Sequence, residues 1–165
     1  MNFSYNYFPE NKQELKEILI RKIKENKFGN ETLLYPDLSD IDTEKITDMT
    51  ELFNGLLINI KIPVKLILCQ WNTSNVISML NMFADCVTLT ELNLKGFDTS
   101  NVINMNGMFV RCEKLVKLDI SSFDTSNVIN MSGLFYRCKS LTELDLSNFD
   151  TSSVTNMSYM FSDCE

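Results

Sequence analysis

Residues 87–164 read VTLTELNLKGFDTSNVINMNGMFVRC, EKLVKLDISSFDTSNVINMSGLFYRC and KSLTELDLSNFDTSSVTNMSYMFSDC, three consecutive blocks of 26 residues. The first two agree at 15 of 26 positions, the second and third at 14. Cys86, Cys112, Cys138 and Cys164 recur at that interval. Self-similarity at a fixed period of this size marks a repeat architecture, in which one unit buries its apolar face only against its neighbours.

Working upstream, weaker copies appear in phase. Trp71-Asn72-Thr73-Ser74-Asn75-Val76 stands one unit before Phe97-Asp98-Thr99-Ser100-Asn101-Val102, followed by Met79, Met82 and Phe83. Ile41-Asp42-Thr43 opens an earlier copy, with Met49, Leu52 and Phe53 behind it. Within a unit, Leu89, Leu92, Leu94 and Phe97 follow the L-x-x-L-x-L spacing of a leucine-rich-repeat strand. Val102, Met105, Met108, Phe109 and Cys112 then fall on one face of a helix of about three turns. Thr99 suits the helix cap, as do Thr43, Thr73, Thr125 and Thr151. The expected fold is therefore α/β: a right-handed leucine-rich-repeat solenoid of 26-residue units, with a parallel sheet on one face and short helices on the other. Its strands are expected near 33–38, 64–69, 90–95, 116–121 and 142–147.

Residues 1–28 lie outside the repeat. Leu15, Ile18, Leu19 and Ile23 form one stripe of a helix expected from about 12 to 27, with Asn11 and Glu14 as a capping box and Gly29 as its stop. This segment carries net charge +2 and the remainder −9. Its glutamates are interspersed with the lysines, so it reads as a cap on the first unit rather than a membrane-surface helix. The organisation expected is a capping helix over 1–28, irregular first repeats over 29–72 and regular repeats over 73–165, all one solenoid domain.

Composition narrows the function classes. The chain has 165 residues, 44% hydrophobic and 22% charged, the balance of one folded domain. Net charge of −7 argues against a non-specific nucleic-acid partner. No apolar run is long enough for a membrane span, and Met1 to Asn11 shows no recognisable signal peptide. With no histidine, no glycine-rich phosphate loop and no polar cluster out of phase with the repeat, no catalytic, cofactor or metal site is expected.

The string FDTSNVINMSGLFYRCKSLTELDLSNFDTS resembles the BspA-like leucine-rich-repeat surface proteins of bacteria, over roughly residues 37–164. Phe-Asp-Thr-Ser, Val-x-x-Met and Met-Phe-x-x-Cys recur in phase. The resemblance implies non-enzymatic repeats displayed at the cell surface for protein interaction or adhesion. The general leucine-rich pattern has Asn or Cys where Phe97, Phe123 and Phe149 stand, so that loop turn must be satisfied differently here. A short structural or truncated array without its own ligand is the competing reading.

Four features are candidate sites. The cysteine ladder of Cys86, Cys112, Cys138 and Cys164 closes the apolar stripe. Stacked in line it is poor disulfide and poor zinc geometry, and it reads as buried free thiols; Cys69 is out of register and has no assigned role. Asp98, Asp124 and Asp150 would form either a calcium column or Asx turns, and Asn72 at the equivalent place favours turns. The outward strand positions Lys65, Glu91, Asn93, Lys117, Asp119, Glu143 and Asp145 would line the concave face, as a polar recognition surface or as a charge ladder that locks register. Strand 142–147 would leave an unpaired edge, a route to self-association by antiparallel, two-fold pairing.

Overall fold

A computed structural model describes residues 5–25 and 33–164. It is mixed α/β, with α1 (Lys12–Glu25), β1 (Val64–Ile67), β2 (Leu89–Asn93) and β3 (Lys117–Asp119). The strands form one parallel sheet in the order β1-β2-β3. No described helix is long and apolar enough to cross a membrane.

The capping box forms at the start of α1. The Asn11 Oδ1 accepts from the Glu14 N–H at 3.0 Å, and the Glu14 carboxylate reaches back to the Glu10 N–H at 2.9 Å. Leu15, Leu19 and Ile23 are buried against the first unit, with Ile18 packed at the margin. Lys22 pairs with Asp40 at 2.8 Å and Lys12 with Asp48 at 2.6 Å, which fixes the angle at which the helix crosses that unit. The expected residues 26 and 27 and the Gly29 stop lie outside the described residues.

The sheet register agrees with the repeat. Lys65 faces Glu91, which faces Lys117; Leu66, Leu92 and Leu118 align behind them. At 33–38 only Leu34 bridges, to Val64. The strand expected at 142–147 does not form. That segment meets the three-residue β3 on one side and no further unit on the other, and the Ser147 N–H turns back to the Asp145 carboxylate at 2.9 Å.

The helices expected after the five threonines are also absent; α1 is the sole helix among the described residues. Each unit instead makes three overlapping turns: Met108 N–H to Met105 C=O, Val110 to Gly107 and Cys112 to Phe109, at 2.9–3.2 Å. The alternate N–H groups leave the unit. Met105, Gly107, Phe109 and Arg111 donate to the carbonyls of Asn130, Ser132, Leu134 and Tyr136, at 2.7–3.0 Å. Gly107 and Arg111 carry the positive φ this path requires, at 58° and 59°. A Cβ on Gly107 would overlap the Asn81 side chain, so glycine is needed there on both counts. Three-residue turns return the chain to one face as often as a helix does. Val102, Met105, Met108, Phe109 and Cys112 are accordingly all buried, as the spacing predicts, on a different backbone.

Units 26 residues apart stack in the core. Rings of Phe53, Phe83, Phe109, Phe135 and Phe161 follow one another at 5.0–5.8 Å with interplanar angles of 17° or less. Trp71 stacks on Phe53 and donates its indole N–H to the Leu38 carbonyl at 3.1 Å. Thr43, Thr73, Thr99 and Thr125 are buried, but they cap no helix. The Thr99 hydroxyl donates to the Asp124 C=O at 2.8 Å and accepts from the Asp124 N–H at 2.9 Å, bracing one unit on the next.

Candidate interaction face

On the open side of the sheet the alternating charges are in contact. Lys65 lies 2.9 Å from the Glu91 carboxylate, and Lys117 approaches the same carboxylate at 3.5 Å. The Lys65 hydrogen bond holds the Glu91 carboxyl below its ordinary range, and Glu91 in turn raises Lys65. Lys117 is held more loosely, its side chain 72% exposed. Glu143 is exposed and makes no ion pair among the described residues, because its segment does not join the sheet. Three of the four expected ladder charges therefore meet.

The remaining expected face residues have local work. Asn93 accepts from the Lys95 N–H at 2.9 Å, Asp119 from the Ser121 hydroxyl at 2.7 Å and Asp145 from the Ser147 N–H at 2.9 Å. These are Asx turns at the end of each strand position. Ser121 donors hold Asp119, and Ser147 donors Asp145, below the usual carboxylate range. An open groove of about 370 Å³ runs across the three strands between these rows, with Lys65, Glu91, Lys117 and Glu143 on its walls and Val116 exposed at its rim.

Sequence reasoning placed no aromatic residue on this face. Tyr35 is there, 46% exposed, with its ring centroid 5.8 Å from the Lys65 ammonium. The signal was the alternation Leu34-Tyr35 opposite Val64-Lys65, obscured because the first units are separated by 30 residues rather than 26.

The other candidate rows resolve into structure. Asp98, Asp124 and Asp150 each accept from the N–H two residues on, at 2.8–3.0 Å, and Asn72 does the same at 3.2 Å, so the Asx turn forms in four successive units. The thiols of Cys112 and Cys138 donate to the carbonyls of Phe83 and Phe109 in the preceding unit, at 3.2 and 3.1 Å. Burial pushes the Cys138 thiol up to about 12 and Cys86 and Cys112 higher still, so these thiols stay protonated. Cys164, expected buried, is exposed, since no unit covers it; Cys69 is exposed as well. The loop turn that lacks the leucine-rich-repeat asparagine is held from the next unit. The Ser122 hydroxyl bonds the Phe97 C=O at 3.1 Å, and the Asn148 amide bonds the Phe123 C=O at 2.7 Å.

A family model described as a Mycoplasma protein of unknown function, DUF285, matches residues 21–118 and again 87–165. No curated protein and no solved structure matches the chain.

Proposed function

The chain belongs to the DUF285 family, and since that family has no known function, we propose from the chain's own chemistry that it is a non-enzymatic repeat solenoid serving as a protein-interaction module of the surface or adhesion type. The observation that carries this reading is the groove across β1–β3. It joins an exposed aromatic ring, Tyr35, to charges not fully neutralised by one another, Lys117 and Glu143. A groove with an amphipathic ring and unsatisfied charges of both signs fits an extended protein segment carrying the complementary charges. The resemblance to BspA-like repeats supports the same class, by analogy of fold.

Surface plasmon resonance of the full chain against a panel of extracellular-matrix proteins tests it, with Tyr35→Ala and Lys117→Glu as face variants. Saturable binding weakened by both variants is the expected result. Absence of saturable binding, or binding indifferent to both, would favour the second reading, a structural array without its own ligand. The self-neutralising contacts Lys65–Glu91–Lys117 speak for that second reading.

A further inference from the structure

The turn-rich side of each unit points its backbone groups in one direction. The N–H groups of Met131, Gly133, Phe135 and Arg137 donate forward to the carbonyls of Asn156, Ser158, Met160 and Ser162, at 2.8–3.0 Å. The carbonyls between them are used inside the turns, as where Met157 C=O accepts from Met160 N–H and Tyr159 C=O from Ser162 N–H. Every interior unit repeats this polarity: donors face the following unit and acceptors the preceding one.

The last unit is left with the donor side alone. The N–H groups of Met157, Tyr159, Phe161 and Asp163 hold the places of Met131, Gly133, Phe135 and Arg137 and make no hydrogen bond among the described residues. Around them Met157, Tyr159 and Phe161 are 46%, 72% and 50% exposed, where Met131 and Phe135 are buried. Phe161 stacks on Phe135 with its inner face and has no ring on its outer face.

We infer that this end is a polarised docking face that accepts one kind of partner: the acceptor edge of another 26-residue coil of the same repeat, stacked in parallel in the next position. A row of N–H donors cannot hydrogen-bond a second row of donors, so the antiparallel, two-fold pairing expected from the sequence brings no backbone bonds at this face. Nor does an intact second copy supply the acceptor edge. Its first unit is covered by α1, whose Leu15, Leu19 and Ile23 are buried there and whose Lys16 ammonium bonds the Glu51 C=O at 3.3 Å. The partner is therefore a coil whose leading edge is uncovered, and it is recognised by the same interlock that joins every interior pair: carbonyls to four N–H groups, a ring over Phe161 and a methionine against Met157. This inference is independent of the groove across β1–β3.

An extended chain tests it. Glu165 holds the sequence place of Glu113, so a copy of residues 114–138 appended after it continues the register. Hydrogen exchange of the Met157, Tyr159, Phe161 and Asp163 amides should slow at least about 10-fold relative to the parent, toward the rates of Met131, Gly133, Phe135 and Arg137. A second extension copying 88–112 guards against one appended sequence that fails to fold. Unchanged exchange at the four amides in both extensions would overturn the inference. So would sedimentation of the parent chain as a dimer with those four amides protected, because that dimer would join two donor edges.

Discussion

Replacing Thr99 by valine separates the bracing role of the threonine ladder from a helix-capping role. Valine keeps the shape and removes the hydroxyl that both donates to the Asp124 C=O and accepts from the Asp124 N–H. Two backbone groups then lose their partner at a site where Thr99 itself is fully buried. An unmade hydrogen bond of this kind costs about 1–3 kcal/mol, and the Asp124 loop is partly open to water, so Thr99→Val should lose about 2–4 kcal/mol. Thr151 has the same sequence context but is exposed, and its hydroxyl has no aspartate of a following unit to bond. Thr151→Val should change stability by no more than about 0.5 kcal/mol. A capping role would make both substitutions cost about 1 kcal/mol. Urea denaturation followed by far-ultraviolet circular dichroism measures both, with Thr99→Ser as the variant that retains the hydroxyl. Equal losses at 99 and 151, or a loss at 99 that serine does not largely restore, would refute the reasoning.

Phe109→Ala removes a ring stacked on both sides and should cost about 3–5 kcal/mol, whereas Phe161→Ala, open on one side, should cost less than half as much; a loss under about 1 kcal/mol at Phe109 contradicts its core position. Lys117→Glu should destabilise and Glu91→Lys should restore part of the loss, with a coupling below about 1 kcal/mol in a double-mutant cycle because Lys117 is largely solvated. The Ser126 hydroxyl and N–H hold Asp124 below the ordinary carboxylate range, so its contribution is present above about pH 4, the unfolded value, and is lost as pH falls through the lower folded value. Acid titration of stability should show that limb, and Asp124→Asn, which keeps the Oδ1 acceptor, should make it shallower. A thiol reagent added to the native protein should modify Cys69 and Cys164 promptly and Cys86, Cys112 and Cys138 only at the rate of unfolding; prompt modification of Cys112 would show that the core is open.

The repeat period, the register of the sheet and the buried set were legible because each depends on which residue types recur at a fixed interval. Leu66, Leu92 and Leu118 align in the sheet as their spacing requires. The backbone behind the sheet was not legible. Val102, Met105, Met108, Phe109 and Cys112 satisfy a helical period, and a chain of three-residue turns presents the same face. The difference lies in where the N–H groups go, which periodicity does not encode. Gly107 and Gly133, at positive φ, were the available sign. Tandem contacts such as Thr99 to Asp124 were illegible for a related reason: a threonine before a helical pattern looks like a cap whichever backbone it bonds. On the interaction face, charge alternation was visible, but the Asx turns that occupy Asn93, Asp119 and Asp145 became apparent only with the loop geometry.

The placement of the single tryptophan decides what its fluorescence can report. Trp71 is wedged between Phe53 and the Leu38 carbonyl, beside the unit that α1 covers. Its emission therefore follows the order of the leading units and is blind to the four amides and three side chains bared at the far end. Circular dichroism sums the whole chain. If melting begins at the uncovered end and travels inward, the dichroic signal will fall before the indole emission shifts to the red. The gap between the two curves then measures how far disorder advances before it reaches the helix-covered units. An appended unit that seals the far end should bring the two curves together.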